Sequence, residues 1–189
     1  MRCVFLIGPA GVGKSTCGAL LATELGFTFL DLDSEFNARV GNIAEFIAKN
    51  GYISYGRRNA ELFDTLVGAQ ESDTVYAISS GFLLYEDLDP SLSRLAADLR
   101  KLGVSIVLFP SSSIDLATDI AVRRLLARRP GLDEEKERRK FRARFEKYSQ
   151  HGDIRIVSSD SPAVIARQAK DEYERFLALP RSGRSTARQ

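Results

Sequence analysis

Short apolar runs alternate along the chain with longer segments in which apolar residues recur every three or four positions. The short runs lie at 3–7, 27–30, 74–78, 104–109 and 154–157, and their length and composition predict buried strands. Alternation of strands with helices predicts a parallel sheet covered by helices on both faces. We therefore expect an α/β fold with a five-stranded parallel sheet, formed by residues 1–178 as a single domain.

The intervening amphipathic segments predict six helices, at 16–25, at 42–50, from 57, at 91–102, from 112 or 113 to about 128, and from 161. Gly26 and Gly51 follow two of these segments directly, as glycine does at helix ends. The aromatic stretch 52–56 is predicted to be a connection, so that Arg57 opens the next helix. Paired arginines at a helix start are unfavourable for the helix dipole, which suggests an anionic partner, either Glu61 or a ligand.

A phosphate-binding pattern lies between the first strand and the first helix. Gly8, Gly13, Lys14 and Ser15 occupy the fixed positions of G-x-x-x-x-G-K-[ST]. Glycines let successive N–H groups point inward at an anion, and the helix that follows adds the positive end of its dipole. Lys14 can reach the β- and γ-phosphates and Ser15 can ligate Mg²⁺. The predicted nucleotide-binding residues are Gly8, Ala10, Gly11, Val12, Gly13, Lys14, Ser15 and Thr16.

Two aspartates end the second predicted strand, at the edge of a parallel sheet where ligands bind. Asp31 and Asp33 are spaced so that both can face the phosphate loop. One carboxylate can hold Mg²⁺ through its water shell, and the other can accept a proton from a substrate hydroxyl. The alternative is that Asp33 caps the next helix and Asp31 merely ends a strand. Since no aspartate ends the third strand, Asp31 is the candidate metal ligand.

Composition excludes several classes of protein. The 189 residues are 44% hydrophobic and 28% charged, with a net charge of +2, which is typical of a globular domain and gives no nucleic-acid signal. No apolar run approaches the roughly 20 residues of a membrane span, and none resembles a signal peptide. Cys3 and Cys17 are too few for a disulfide framework, so we expect a cytoplasmic protein, and a monomer. The arginine-containing tail at 179–189 is expected to be disordered.

Beyond the phosphate loop, further motifs make the chain resemble the shikimate kinase family over about residues 1–178. Asp31-x-Asp33 followed by Gly41-x-Ile43-x-Glu45-Phe46-Ile47 is similar to that family's D-x-D…G-x-S-I-x-E-I-F stretch. The remaining matches are Arg58-Asn59-Ala60-Glu61, Arg129-Pro130-Gly131-Leu132 and Arg144-Phe145-Glu146-Lys147-Tyr148.

The resemblance implies a P-loop kinase three-layer sandwich with a substrate-binding helical region at about 33–62 and a mobile lid at about 128–142. It also implies ATP-dependent, Mg²⁺-assisted phosphorylation of shikimate to shikimate 3-phosphate. Lys14 and Ser15 would hold ATP and Mg²⁺, with Asp31 near the metal. Asp33 would bind the acceptor hydroxyl and Arg129 would close over the phosphates. Arg58 and Arg144 would hold the substrate carboxylate.

Three departures from the family pattern leave the acceptor open. Ser79-Ser80-Gly81 replaces three glycines that contact the substrate, with Ser80 and Gly81 as the contact candidates. Tyr52 stands in place of a glutamate, and a longer spacing from Gly51 makes Arg57 a rival to Arg58. The lid is also short. Another cyclitol, sugar acid or nucleotide is therefore an alternative acceptor, and an ATP-binding protein without transferase activity is a further alternative.

Overall fold

Five parallel strands form the central sheet of the computed structural model, which describes residues 1–180. The strands are β1 (Cys3–Ile7), β2 (Thr28–Asp31), β3 (Thr74–Ala77), β4 (Gly103–Phe109) and β5 (Ile154–Val157), in the spatial order β2-β3-β1-β4-β5. Cys3 of β1 is in register with Thr74 of β3 and Gly103 of β4. The carboxyl ends of β1 and β3 therefore meet at one edge, as the sequence predicts. Most of the predicted basic tail, residues 181–189, lies outside the described residues.

Eight α-helices surround the sheet: α1 (Lys14–Leu25), α2 (Leu32–Arg39), α3 (Ile43–Asn50), α4 (Tyr52–Gly68), α5 (Leu95–Leu102), α6 (Ile114–Arg128), α7 (Glu134–Tyr148) and α8 (Pro162–Ala178) in residues 1–180. Side-chain caps mark two of the predicted starts. The Asn42 side chain accepts hydrogen bonds from two backbone amides of α3, and the Ser113 side chain accepts one from α6. These contacts satisfy amides that a helix terminus leaves unpaired.

Alternate residues of β1 supply the two sides of the core. Phe5 packs with Phe63 of α4, their ring centroids being 5.8 Å apart, whereas Leu6 belongs to the cluster on the opposite face with Leu21 of α1 and Tyr173 of α8. Because side chains alternate along a strand, a continuous apolar run fills both layers. The result is the predicted three-layer arrangement.

Helix α4 begins five residues earlier than the sequence predicts. Gly51 has φ +83°, its N–H donates to Ile47 O, and its carbonyl accepts from Tyr55 N at 3.2 Å. One glycine therefore ends α3 and starts α4, and the predicted connection at 52–56 is wrong. Arg57 lies within the second turn of the helix rather than at its start.

Two 3₁₀ segments, at Phe82–Asp87 and Pro90–Leu92, follow β3. Sequence reasoning did not predict the first of them. The second overlaps the first residues of the helix predicted at 91–102, and α5 starts only at Leu95. Asp89 accepts a hydrogen bond from Ser91 N and thereby caps the second segment.

The predicted lid, 128–142, divides into a turn and a helix. Arg128 ends α6, residues 129–133 are non-helical, and 134–142 belong to α7. Arg138 and Arg142 of α7 form ion pairs with Asp119 and Asp115 of α6, and Phe141 of the same helix is buried in the core. Mobility of this segment remains a prediction, and it concerns mainly the turn. Within residues 1–180, no helix has the length and apolar character needed to span a bilayer.

Candidate active site

The phosphate loop depends on glycine for both backbone conformation and space. Gly8, Gly11 and Gly13 have φ of +139°, +82° and +100°, values that residues with a side chain rarely adopt. A Cβ on Gly11 would lie 2.3 Å from Ala121 O, and one on Gly8 would lie 2.8 Å from Leu108 O. The loop is thus pressed against β4 and α6 and is held in one shape.

A cavity of about 260 Å³ opens over this loop. Lys14 Nζ donates to Gly8 O at 2.8 Å and to Pro9 O at 2.9 Å, so its ammonium group lies across the loop. The pKa of Lys14 is lowered to about 8, mainly by burial. Nearby arginines also lower this pKa, and the carboxylates of Asp33 and Asp31 partly oppose the shift. A buried cation beside inward-facing amides suits a phosphate group, which would supply the missing negative charge.

Ser15 and Asp31 meet at the edge of this cavity. Ser15 Oγ donates to Asp31 Oδ2 at 2.5 Å, and Asp31 Oδ1 accepts from Ser34 N at 2.9 Å. Asp31, not Asp33, therefore caps α2, which decides the alternative left open by the sequence. Residues 1–180 contain no cluster of three or more His, Cys, Asp or Glu side chains that could hold a metal. The Ser15–Asp31 pair fits Mg²⁺, which keeps several water ligands and takes substrate phosphate oxygens.

A second cavity, of about 590 Å³, adjoins the first. Asp33 and Ser80 line both cavities, as do Ala10, Leu125 and Arg129. The outer walls come from α2, α3, α4 and α7, and include Asn37, Ile43, Ile47, Tyr52, Tyr55, Lys140 and Arg144. The two cavities thus form one cleft, and Asp33 lies where they meet.

Arg144 anchors the far side of this cleft. Its guanidinium donates to Ser80 Oγ at 3.0 Å and lies 3.5 Å from the Tyr52 hydroxyl. The same hydroxyl would be 2.1 Å from a Cβ on Gly81. The structure therefore brings together three predicted substrate contacts, Ser80, Gly81 and Arg144. It adds Tyr52, which sequence reasoning had noted only as a departure from the family pattern.

The carboxylate of Asp33 is held by hydroxyl groups. Ser79 Oγ donates to Asp33 Oδ1 at 2.5 Å, and Tyr55 OH lies 3.5 Å from the same oxygen. Asn59 in turn donates to Ser79 Oγ at 2.9 Å. Sequence reasoning gave these three residues no role toward Asp33. It placed Tyr55 in a connection, and it named Asn59 and Ser79 only as members of longer motifs.

Arg57 and Arg58 lie outside the cleft. Arg57 forms an ion pair with Asp89 at 2.6 Å and its side chain is 62% exposed. Arg58 pairs with Glu61 at 2.9 Å and its side chain is 48% exposed. Neither lines the two cavities. With α4 starting at Tyr52, helical spacing turns Tyr55, Gly56 and Asn59 inward and both arginines outward, so the structure does not support a substrate contact by either arginine.

A further groove of about 380 Å³ also borders the phosphate loop, and Asp33 does not line it. Val12 and Thr16, two of the predicted nucleotide-binding residues, line it together with Arg124, Arg128 and Pro162. The groove provides room for the part of a nucleotide beyond its phosphates. The sequence signal for this wall was weak, since its arginines lie among many exposed ones.

Known proteins match the chain over most of its length. The shikimate kinase family profile matches residues 10–174. A shikimate kinase of Chlorobium luteolum is 33% identical over 122 residues, which cover 64% of this chain and 55% of that protein, so the match spans about half of the relative. A shikimate kinase of Pseudomonas entomophila is 29% identical over 95% of this chain and 99% of its own length.

The solved structures include a shikimate kinase from Acinetobacter baumannii in complex with shikimate. It superposes with a TM-score of 0.73 at 20% identity, covering 95% of this chain and 96% of that one. This likeness shows a common fold. Taken with the profile match over 10–174, it leads to one assignment: the chain belongs to the shikimate kinase family.

Proposed function

We propose that this protein transfers the γ-phosphoryl group of ATP to a hydroxyl of shikimate, giving shikimate 3-phosphate and ADP. The observation that carries the proposal is the continuous cleft in which Asp33 lies between the phosphate loop and Arg144. Two comparisons support the proposal: the chain belongs to the shikimate kinase family, and the structure from Acinetobacter baumannii is a complex with shikimate. The arrangement puts a phosphate donor and a small carboxylated acceptor on either side of one carboxylate.

At the donor end, the residues of the chain bind and orient the triphosphate. Loop amides and Lys14 hold the β- and γ-phosphates, and Arg129, which lines both cavities, contributes positive charge from the turn at 129–133. Ser15 and Asp31 are the residues that would hold Mg²⁺, which would neutralise phosphate charge when bound. Phosphoryl transfer depends mainly on such positioning and charge stabilisation.

At the acceptor end, Asp33 takes the proton of the attacking hydroxyl. The acceptor oxygen bonds to the γ-phosphorus as the bond from phosphorus to the β–γ bridging oxygen breaks, and ADP leaves with that oxygen. No covalent enzyme intermediate is required. Alignment of the two reactants can lower the activation barrier by on the order of 7–11 kcal/mol. Holding the reactants in that alignment is the main role of the residues that line the cleft.

Arg144 binds the acceptor carboxylate. Its side chain already donates to Ser80, so its fork has a fixed direction, and a guanidinium can donate to both oxygens of a carboxylate. Lys140, one turn earlier on α7, also lines this wall, where it forms an ion pair with Glu137 at 2.6 Å. The proposal includes action as a monomer in the cytoplasm, where the free thiols of the buried Cys3 and Cys17 would stay reduced.

A second candidate is the same transfer to a different hydroxylated acid or cyclitol. The observation that favours it is the absence of Arg57 and Arg58 from the lining of the cleft, with Tyr52 and Tyr55 forming part of its wall instead. Such a wall suits a ring that presents an apolar face and carries fewer negative charges.

The decisive experiment measures ADP release from ATP with and without shikimate, using Lys14→Ala as the inactive reference. We expect shikimate-dependent release that requires Mg²⁺ and is absent from the variant. ATP binding without stimulation by shikimate would reject shikimate as acceptor, and a panel of cyclitols and sugar acids would then test the second candidate. Failure of the whole panel would leave a nucleotide-binding protein without transferase activity.

A further inference from the structure

We propose that Ser79 and Asn59 are positioning residues that fix the Asp33 carboxylate for removal of the acceptor proton. The inference rests on the proposed function, because it assigns Asp33 as the proton acceptor. It concerns residues particular to this chain: Ser79 occupies the first position of the segment in which the family pattern has three glycines.

The amide of Asn59 sets the direction of the hydrogen bonds. Asn59 is fully buried, and its Nδ2 donates to Ser79 Oγ at 2.9 Å and to Tyr85 OH at 3.0 Å. A serine hydroxyl has one proton. Since Ser79 Oγ accepts a hydrogen bond from Asn59, its own O–H donates to Asp33 Oδ1, 2.5 Å away.

One oxygen of Asp33 is thereby held and the other is left for the acceptor. The side-chain hydrogen bonds that reach this carboxylate from residues 1–180 come from Ser79 and Tyr55, and both end on Oδ1. Burial raises the pKa of Tyr55 and of Tyr85 well above the ordinary value, so both phenols stay neutral. Asp33 also lines both cavities, which makes Oδ2 the oxygen for the attacking hydroxyl.

The backbone around Ser79 is held as well. Its carbonyl accepts from Phe82 N at 3.0 Å and from the buried Tyr148 OH at 3.4 Å. Asn59 Oδ1, by contrast, has no hydrogen-bond partner within residues 1–180. A buried acceptor without a partner is unfavourable. Among the described residues, Asn59 therefore acts through its Nδ2, which donates to Ser79 and Tyr85.

The test is a double-mutant cycle with Ser79→Ala and Asp33→Asn, measured as shikimate-dependent ADP release. In the native background, Ser79→Ala should lower kcat about tenfold to a hundredfold through loss of alignment. The KM values for ATP and shikimate should stay within about twofold, since ground-state binding is untouched. In the Asp33→Asn background, the same change should cost less than about threefold, because residues that act as a unit are not additive.

Two further variants separate positioning from structure. Ser105→Ala removes a matched buried hydrogen bond, Ser105 Oγ to Asp153 at 3.0 Å, on β4, and should lower the melting temperature while leaving kcat unchanged. Asn59→Ala should lower kcat like Ser79→Ala, again without a change in KM.

Equal losses for Ser79→Ala in both backgrounds, or an unchanged kcat in the native one, would overturn the positioning role and leave the proposed function standing. A native enzyme without any shikimate turnover would instead refute the proposed function, and this inference with it.

Discussion

The two ends of the cleft differ in how they are formed: one is a single loop, and the other combines side chains from several helices. The phosphate end is a contiguous loop in which three glycines adopt positive φ. The acceptor end is assembled from side chains of α2, α3, α4 and α7, some of which lie more than a hundred residues apart in the chain. The first end is specified by local sequence, whereas the second depends on how each helix is rotated.

This difference explains why the two ends tolerate change differently. At the loop, a single Cβ collides with the backbone of a neighbouring element, so that variation is excluded by space. At the acceptor end, a changed side chain leaves the backbone in place and alters only what the wall can recognise. Evolution of a new acceptor within one fold is therefore expected at the second end.

The largest effect that would test this comparison is expected at Gly11. Gly11→Ala adds a Cβ 2.3 Å from Ala121 O at a φ of +82°, and the strain should lower the free energy of unfolding by about 3 kcal/mol. ATP affinity should fall as well, because the loop must move. Gly26→Ala is the control, with φ +68° and nothing within 4 Å of the added Cβ.

For Gly26→Ala we expect a loss of about 1 kcal/mol and native ATP affinity. Thermal unfolding and ATP titration would measure both variants. Equal effects at the two glycines would show that conformation alone, and not the close approach to α6, constrains the loop.

An intermediate effect is expected at Arg144. Arg144→Ala should raise the acceptor KM about tenfold to a hundredfold by removing charge-assisted hydrogen bonds, with a smaller change in kcat. Arg142→Ala, two residues earlier on α7, removes an arginine that pairs with Asp115 of α6 and should leave the acceptor KM unchanged. Steady-state kinetics with varied acceptor would separate them, and an unchanged KM in Arg144→Ala would remove Arg144 from the acceptor site.

The smallest effect is expected at the two arginines of α4. Arg57→Ala breaks an ion pair with the largely buried Asp89, and Arg58→Ala breaks an exposed pair with Glu61. Both arginines lie outside the lining of the cleft. The acceptor KM should therefore stay within about twofold of the native value. An increase in KM as large as that for Arg144→Ala would mean that α4 rotates when the acceptor binds.

Sequence patterns predicted the sheet, the loop and both aspartates because each of these features is encoded locally. The five strands lie where the apolar runs place them, and Asp31 and Asp33 both reach the cleft edge. Spacing alone could not decide which aspartate caps α2. The choice follows from two hydrogen bonds of Asp31. Its Oδ1 accepts from Ser34 N, and its Oδ2 accepts from Ser15 Oγ, which lies sixteen positions earlier in the chain.

The acceptor wall was harder to predict because its register depends on one helix start. Placing that start at Arg57 instead of Tyr52 rotates the expected inward face, and Arg58 then replaces Tyr55 and Asn59 as the apparent contact. The pattern that could have corrected this is the recurrence of Tyr52, Tyr55, Asn59 and Phe63 at intervals of three and four. The 3₁₀ segment at Phe82–Asp87 has no comparable periodicity.

Helix α7 extends between the two ends of the cleft. Arg138 near its start is paired with Asp119 of α6, Arg144 donates to Ser80, and Lys147 near its end is paired with Glu86 beyond β3. At about 1.5 Å per residue, Arg138 and Lys147 are about 13 Å apart along the axis, so a tilt of roughly 10° about the first would displace the second by about 2 Å. The turn at 129–133, which carries Arg129, leads directly into α7. A tilt of the helix would therefore change both ends of the cleft together.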